Sequence, residues 1–180
     1  MRKTVPVLIL IVLPVLGLGA CSRAVDLEGD YPMTMELTSS AFENGGRIPD
    51  QFTCEGEDVS PPLEWSGVPE TRTESLALIV DDPDAPGKTW VHWVLYNLPP
   101  DTPRLEKGSP GGAEVGRNDF KDASYGGPCP PSGDPHTYHF KLYALDTTLD
   151  LEAGATKKDV ELAMQDHILD MAELTGTYSR

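Results

Sequence analysis

Positive charge is scarce in this sequence. Its 180 residues include 14 lysines and arginines against 29 aspartates and glutamates, which gives a formal net charge of −15 at pH 7. Arg2 and Lys3 stand at the extreme N-terminus, so the rest of the chain is more acidic still. Because such a field repels phosphate backbones and anionic lipid surfaces, it excludes a nucleic-acid-binding function. A small ligand in a pocket stays possible, since the groups that line a pocket decide its affinity.

Signatures of hydrolytic and metal chemistry are missing as well. The sequence contains no G-x-S-x-G motif around a serine nucleophile and none of the recognised zinc-binding spacings. We therefore expect no catalysis, no cofactor and no metal ion. A hydrolase that uses histidine and aspartate for acid–base chemistry is the less favoured alternative, with or without a metal.

Cysteine occurs only three times, and the first copy closes an N-terminal export signal. A basic head, an apolar segment over 4–19 and small residues directly before Cys21 form the three-part pattern of a signal peptide. The apolar segment is short and broken by proline, which is unfavourable for a membrane span. The cysteine after the small residues is similar to the bacterial lipobox, which implies cleavage before Cys21 and its lipidation. The alternatives are a plain signal peptide with a chance cysteine, or an uncleaved anchor.

This reading divides the chain into three parts: a signal peptide over 1–21, a polar tether over 22–32 and a domain over 33–180. The last part has the length of one domain. Several acyl chains on one cysteine would attach the protein stably to a membrane. We expect an exported lipoprotein of the bacterial cell envelope, facing the periplasm or the surface.

Two cysteines remain in the predicted domain. An even number of cysteines in an exported chain favours a disulfide between Cys54 and Cys129. They lie 75 positions apart, and closing that loop would contribute about 4 kcal/mol in the chain-entropy model. The alternative is two separate buried thiols.

Hydrophobic periodicity predicts mostly β structure. Segment 75–82 is a continuous apolar run that ends in acids, which is typical of a strand buried on both faces. In segment 91–99 the alternation places His92 on the strand face opposite Trp93. Because proline- and glycine-rich segments separate the runs, we predict an all-β chain with minor α, an antiparallel β-sandwich. Further alternating strands are predicted at 33–39 and 136–146.

One helix is predicted over 156–174, where apolar residues recur at helical spacing. Thr156 is the predicted N-cap, with Asp159 three residues later in a variant of the capping box. Gly176 is the predicted stop.

Candidate binding residues stand where strands meet loops. Asp82 and Asp84 follow the buried strand, and the proline after Asp82 holds the Asp82 backbone extended. His92 lies among bulky residues, and His136 leads a strand on which Tyr138 is the next residue of the same face. Two imidazoles with an acidic partner would form a small anion or phosphate pocket. Each motif alone also fits an ordinary Asp-rich turn or a core histidine.

The loop before His136 is unusually rich in proline and glycine. Its prolines fix φ, and its glycines allow tight turns and close approach of the backbone. Such a loop can form a stiff wall of a cavity with His136 at the rim, so that little conformational entropy is lost when a ligand binds.

Three segments, DDPDAPGKTWVHWVLYNLP, YGGPCPPSGDPHTYHFKLYALD and FTCEGEDVSPPLEW, together resemble the phosphatidylethanolamine-binding protein family, in particular its bacterial Raf kinase inhibitor-like branch. The resemblance extends over about residues 33–180. It implies a β-sandwich with a few peripheral helices and a small cavity that binds phosphate-like or carboxylate anions, and it favours a bridge between the two cysteines. Matched by motif, the ligand-binding residues that it implies are Asp82, Asp84, His92, Gly127, Pro128, His136 and Tyr138.

The sequence thus predicts a lipid-anchored envelope protein that binds a small anion, such as a phosphorylated headgroup, a phosphomonoester or a carboxylate. The alternative is a protein-interaction module that inhibits a kinase or a protease, as some distant relatives do. That alternative rests on analogy of fold, and a fold does not carry a function with it. An exported domain would also not meet a cytosolic kinase.

Overall fold

The computed structural model describes residues 32–180. The predicted signal peptide, Cys21 and the tether up to residue 31 lie outside this range. Within it, no helix has both the length and the apolar character that crossing a membrane requires.

Two antiparallel sheets form the domain, as predicted. The smaller sheet has the order β1-β2-β5, with β1 at Glu36–Thr38, β2 at Leu63–Ser66 and β5 at Arg104–Leu105. The strands of the larger sheet are β3 (Ser75–Asp82), β4 (Trp90–Leu98), β6 (Glu114–Val115), β7 (His136–Leu145) and β8 (Ile168–Tyr178), in the order β6-β4-β3-β7-β8. A 3-10 helix, Asp50–Phe52, and one α-helix, α1 (Lys157–Met164), complete the described part.

Strand β3 is buried at every position, which confirms the prediction from its continuous apolar run. One face, with Leu78 and Val80, packs in the main core between the two sheets. The other face, with Ala77 and Ile79, packs in a second core together with Val160 and other residues of α1. The helix therefore covers the outer face of the larger sheet, and β3 at its centre meets no solvent.

The prediction of one helix over 156–174 is correct only for its first half. It begins as expected, since the Thr156 side chain accepts a hydrogen bond from the Asp159 amide and the Asp159 carboxylate accepts one from the Thr156 amide. It ends at Met164, and the following residues form β8, where buried and half-buried positions alternate. Gly176 is not a helix stop but a position inside β8, opposite Tyr138 of β7.

Pairing with β7 is the physical reason for this difference. Ten residues of β7 find partners in β8, and that ladder outweighs the weak helical propensity of a segment with mixed periodicity. A side chain at position 176 would also not fit, because a Cβ atom there would lie 2.6 Å from Cγ1 of Ile48. At the other end of the chain, the strand predicted over 33–39 is limited to Glu36–Thr38.

A buried ion cluster joins α1 to the outer face of the sheet. The Asp81 carboxylate, 1% exposed, contacts Lys157 of α1 and lies 3.2 Å from Nζ of Lys141. Lys157 also lies 3.5 Å from Glu161. Burial alone would lower the pKa of Lys157, but the Asp81 and Glu161 carboxylates outweigh this effect and raise it. Lys157 therefore keeps its positive charge at neutral pH.

Removing the charge of Asp81 is expected to destabilise the domain. An Asp81→Asn variant should lose about 3 kcal/mol of unfolding free energy in urea titrations at pH 7, because two lysines keep buried or half-buried charges without their partner. The control is Lys107→Gln, which breaks an exposed pair with Glu57 and should cost less than about 1 kcal/mol. Equal losses in the two variants would contradict the argument.

Candidate functional site

The ends of three strands meet at one edge of the larger sheet and enclose a cavity of about 240 Å³. Strand β3 ends at Asp82, which pairs with Trp90 at the start of β4, and β7 begins at His136 on the other side of β3. We call this cavity the histidine pocket. Its polar side chains are Asp82, His92, His136 and Tyr138. Its apolar walls are Ala85, Pro86, Trp90, Phe120, Pro130 and Pro131, with Cys129 beside them.

Asp82 and His136 form the central contact of the pocket. Nδ1 of His136 lies 2.7 Å from Oδ2 of Asp82, and the Asp82 side chain is only 4% exposed. A carboxylate accepts hydrogen bonds, so Nδ1 carries the proton and Nε2 is the ring nitrogen left for a ligand. The other carboxylate oxygen, Oδ1, accepts the backbone amide of Asp84 at 2.9 Å. One buried side chain thus fixes the imidazole and the turn that follows β3.

His92 reaches the pocket through an irregularity in the sheet. Val80 pairs with Trp93 and Asp81 pairs with Val91, so β4 has one more residue than β3 at this point, and His92 is that residue. Such a bulge turns a side chain away from the face that simple alternation gives it. The structure therefore corrects the prediction that His92 lies opposite Trp93, since the His92 ring faces Tyr138, whose ring belongs to the main core.

The environment of His92 favours its neutral form. The residue is 3% exposed, and Nδ1 lies 2.6 Å from the Gly126 carbonyl oxygen. Burial lowers the pKa of His92 below 6.5, although the Gly126 carbonyl and the charge of Asp82 act in the opposite direction. Because a carbonyl only accepts, Nδ1 donates, and Nε2 is again the nitrogen left for a ligand.

Tyr138 carries an unsatisfied polar atom. Its ring lies 5.2 Å from that of His92, the residue is 1% exposed, and its hydroxyl has no hydrogen-bond partner within residues 32–180. Burial, and then the nearby Asp82 charge, raise the pKa of the phenol, so the hydroxyl keeps its proton. A buried hydroxyl without a partner costs about 1–3 kcal/mol. A guest in the pocket would supply that partner.

Three of the residues implied by the resemblance lie behind the pocket lining. The Gly127 amide donates to Oδ1 of Asp58 at 2.7 Å, and a Cβ atom at Gly127 would lie 2.4 Å from the Phe52 carbonyl oxygen. The Pro128 carbonyl accepts the Cys54 amide, and the Asp84 carboxylate accepts the Thr137 amide at 2.8 Å. These contacts hold the loop and the rim in place. Direct ligand contact by Asp84, Gly127 and Pro128 stays a prediction.

A disulfide joins Cys54 and Cys129, the pairing that the even cysteine count favours. Cys129 lies in the pocket wall directly before Pro130 and Pro131. The bridge therefore ties the proline-rich wall to the segment after the 3-10 helix. It also means that the cysteine sulfur of the lining is not a free thiol.

The two aromatic walls were not predicted from the sequence. Trp90 lines the pocket because the extra residue in β4 shifts the alternation before it, and no sequence pattern marks that shift. Phe120 comes from the loop after β6, and its ring packs edge-on against Trp90 at 5.5 Å and His92 at 5.6 Å. The proline-rich wall, by contrast, is predicted by the composition of the loop before His136. No cluster of three or more histidine, cysteine or acidic side chains in the described residues could hold a metal ion.

Comparisons with known proteins agree with this architecture. The model of the phosphatidylethanolamine-binding protein family matches residues 38–179. A UPF0098 protein of Methanothermobacter thermautotrophicus is 54% identical over 152 residues, covering 81% of this chain and 99% of the relative. A phosphatidylethanolamine-binding protein homologue of Chlamydia trachomatis has a solved structure that is 43% identical, with a TM-score of 0.78 over 82% of this chain and 98% of that one. The solved structure of YbcL from E. coli is 37% identical, with a TM-score of 0.76 over 82% and 99%.

Tyr138 and Tyr125 should respond differently to loss of their hydroxyls. Tyr138→Phe should change the unfolding free energy by less than about 0.5 kcal/mol, or increase it, because the variant removes an unsatisfied buried group. Tyr125→Phe is the matched control. Its hydroxyl donates to the Phe52 carbonyl at 2.8 Å, and its loss should cost about 1 kcal/mol or more. Denaturant titrations without added anion would measure both, and a larger loss for Tyr138→Phe would show that its hydroxyl is satisfied in the free protein.

Proposed function

The chain belongs to the phosphatidylethanolamine-binding protein family, and we propose that its histidine pocket binds a small anionic group, phosphoryl or carboxylate, without turning it over. The observation that carries the proposal is the Tyr138 hydroxyl, buried with no partner in the described residues and next to the two imidazoles. Natural proteins rarely leave such a group unsatisfied, so an acceptor from outside the chain is expected to fill the pocket.

The hydrogen-bonding roles of the pocket suit an anion. Nδ1 of His92 and Nδ1 of His136 are both committed to acceptors in the protein, so each ring offers only Nε2. A protonated ring donates from Nε2 in a charge-assisted hydrogen bond, and the Tyr138 hydroxyl adds a neutral donor. The Asp82 carboxylate accepts from Nδ1 of His136 and so fixes the orientation of that ring.

The walls of the pocket indicate what the anionic group is attached to. Trp90, Phe120 and three prolines give the cavity a mainly apolar surface. Desolvating a free inorganic ion against such walls is costly, whereas an alkyl or aryl group gains from contact with them. The ligand is therefore an anion borne on an apolar or flat organic group, rather than inorganic phosphate.

The same lining supports binding over hydrolysis. A hydrolase with a hydroxyl or thiol nucleophile needs that group activated beside the histidine. In the described lining the cysteine is held in a disulfide and the hydroxyl belongs to a tyrosine whose pKa is raised. Neither group provides a nucleophile at neutral pH.

Anion binding should appear as thermal stabilisation of the full-length chain in mild detergent. Phenyl phosphate at about 100 times its Kd should add about 2.7 kcal/mol, a shift of roughly 5–10 °C, and phosphate and acetate should give smaller shifts at equal concentration. His136→Ala and Tyr138→Phe should lose most of the shift. His167→Ala is the control, because His167 is exposed and bonds to Asp146 instead of the pocket.

The pH dependence gives a second readout of the same experiment. Burial holds the pKa of His92 below 6.5, and an anion favours the protonated ring, so acetate should bind more tightly as pH falls from about 8 to about 5.5. Acetate is mostly ionised over this range, and its slight protonation near the lower end would weaken binding, so tighter binding at low pH reports the protein. No shift with any of the three anions, or affinity that rises with pH, would refute the proposed function.

We also propose that the protein is exported and held in the cell envelope by lipid on Cys21. The N-terminal pattern supports this, and the disulfide is the kind of bond that persists in an oxidising compartment.

Cells fed a labelled fatty acid provide the test of the anchor. The full chain should carry the label and fractionate with membranes, and Cys21→Ser should lose the label while its apolar leader is unchanged. Labelling that persists in Cys21→Ser would argue against lipidation at this residue. Cys54→Ser is the matched control and should keep the label.

A further inference from the structure

A second cavity lies next to the histidine pocket, across the start of β4. Trp90 and His92 line the histidine pocket, whereas Lys88 and Val91 line this second cavity, which has a volume of about 340 Å³. It lies between the loop after β6 and the first turn of α1. We call it the basic cleft, because five of the 14 lysines and arginines of the chain line it: Lys88, Arg117, Lys121, Lys157 and Lys158.

Two of these cations are compensated by the two carboxylates of the lining. Lys88 lies 2.5 Å from Asp119, and Lys88 and Lys121 both help to lower the pKa of that carboxyl group against the effect of burial. Lys157 lies 3.5 Å from Glu161. These two pairs contribute no net charge to the cleft.

The other three cations have no such partner. Among residues 32–180, no carboxylate lies within 4 Å of the charged groups of Arg117, Lys121 or Lys158, although all three are exposed on one concave surface. Lys158 lowers the pKa of Asp159 only from a distance, because that carboxylate is occupied by the capping box at Thr156. These three uncompensated positive charges in one cavity contrast with the net charge of −15 of the whole chain.

The backbone holds these cations in fixed places. The Arg117 amide donates to the Ala155 carbonyl at 2.9 Å, which fastens the loop to the residue before the helix N-cap. Lys121 has a φ of 80°, a left-handed conformation that is uncommon for lysine. The turn is held by Asn118, whose buried side-chain amide bonds to the loop backbone in two places. The loop is thus ordered before any ligand binds, which reduces the entropy lost on binding.

The first turn of α1 adds to the positive potential of the cleft. Lys157 and Lys158 are the first two helical residues, and their backbone amides have no acceptor within the helix. These amides add a partial positive charge at the helix N-terminus, where both residues line the cavity. An extended anionic surface would meet the acidic remainder of the protein, but a compact anion can enter the cleft without that repulsion.

We propose that the basic cleft is a second anion site, for a compact phosphate-type ligand that carries two or more negative charges. This inference goes beyond the function of the histidine pocket, which has two imidazoles, an acidic partner and mainly apolar walls. The two sites differ in the ligand that they accept: one phosphoryl or carboxylate group on an apolar carrier in the pocket, and a compact polyanion without such a carrier in the cleft.

Calorimetric titration of the full-length chain in mild detergent with inorganic pyrophosphate tests the proposal. The wild type should bind pyrophosphate at pH 7.5, and the triple variant Arg117→Gln/Lys121→Gln/Lys158→Gln should bind it at least about tenfold more weakly. The matched control is Arg72→Gln/Arg104→Gln/Lys107→Gln, which removes the same charge from exposed residues outside the cleft and should change Kd less than about twofold.

The His136→Ala variant distinguishes the basic cleft from the histidine pocket. It should bind pyrophosphate like the wild type. Loss of binding in His136→Ala, with binding retained in the triple variant, would assign pyrophosphate to the histidine pocket and overturn the inference. Equal weakening of pyrophosphate binding in the triple variant and its control would mean that only the net charge of the protein matters. That result would also overturn the inference. The triple variant should melt within a few degrees of the wild type, because the three side chains are exposed and unpaired.

Discussion

Strand β3 ends in two consecutive buried carboxylates, Asp81 and Asp82, and each has basic or imidazole partners on its own side of the sheet. Successive residues of a strand point to opposite faces of the sheet. Asp81 therefore faces the helix layer, where Lys141 and Lys157 compensate its charge, and Asp82 faces the histidine pocket, where it accepts a hydrogen bond from Nδ1 of His136. A buried carboxylate without such a partner would become protonated or destabilise the fold.

The larger sheet departs from regular pairing at His92 in β4, beside the histidine pocket. With ideal alternation in β4, His92 would face the helix layer and the pocket would have one imidazole instead of two. The additional residue brings His92 and Trp90 to the pocket, and the Gly126 carbonyl then fixes the orientation of the His92 ring. The Gly126 amide also donates to the His92 backbone carbonyl at 3.0 Å, so the loop is attached to β4 at this residue. The extra residue in β4 and the geometry of the loop that contains Gly126 thus depend on each other.

Much of this could be predicted, and the errors have a common cause. The continuous apolar run identified β3, the even cysteine count favoured the bridge, and Thr156 with Asp159 marked the start of the helix. Each of these signals is local or depends on composition alone. What could not be predicted is set by long-range pairing.

The two clearest examples are β8 and the register shift in β4. Residues 168–174 have apolar spacings that fit either a helix or a strand, and only the ladder with β7 decides between them. The shift at His92 depends on how β4 pairs with β3, and the position of Phe120 depends on a loop that packs across β4. That loop also forms one wall of the basic cleft: Phe120 contacts the histidine pocket, while Asp119 and Lys121 on either side of it line the cleft. The two regions therefore share one wall, and the packing of Phe120 against Trp90 and His92 sets its position.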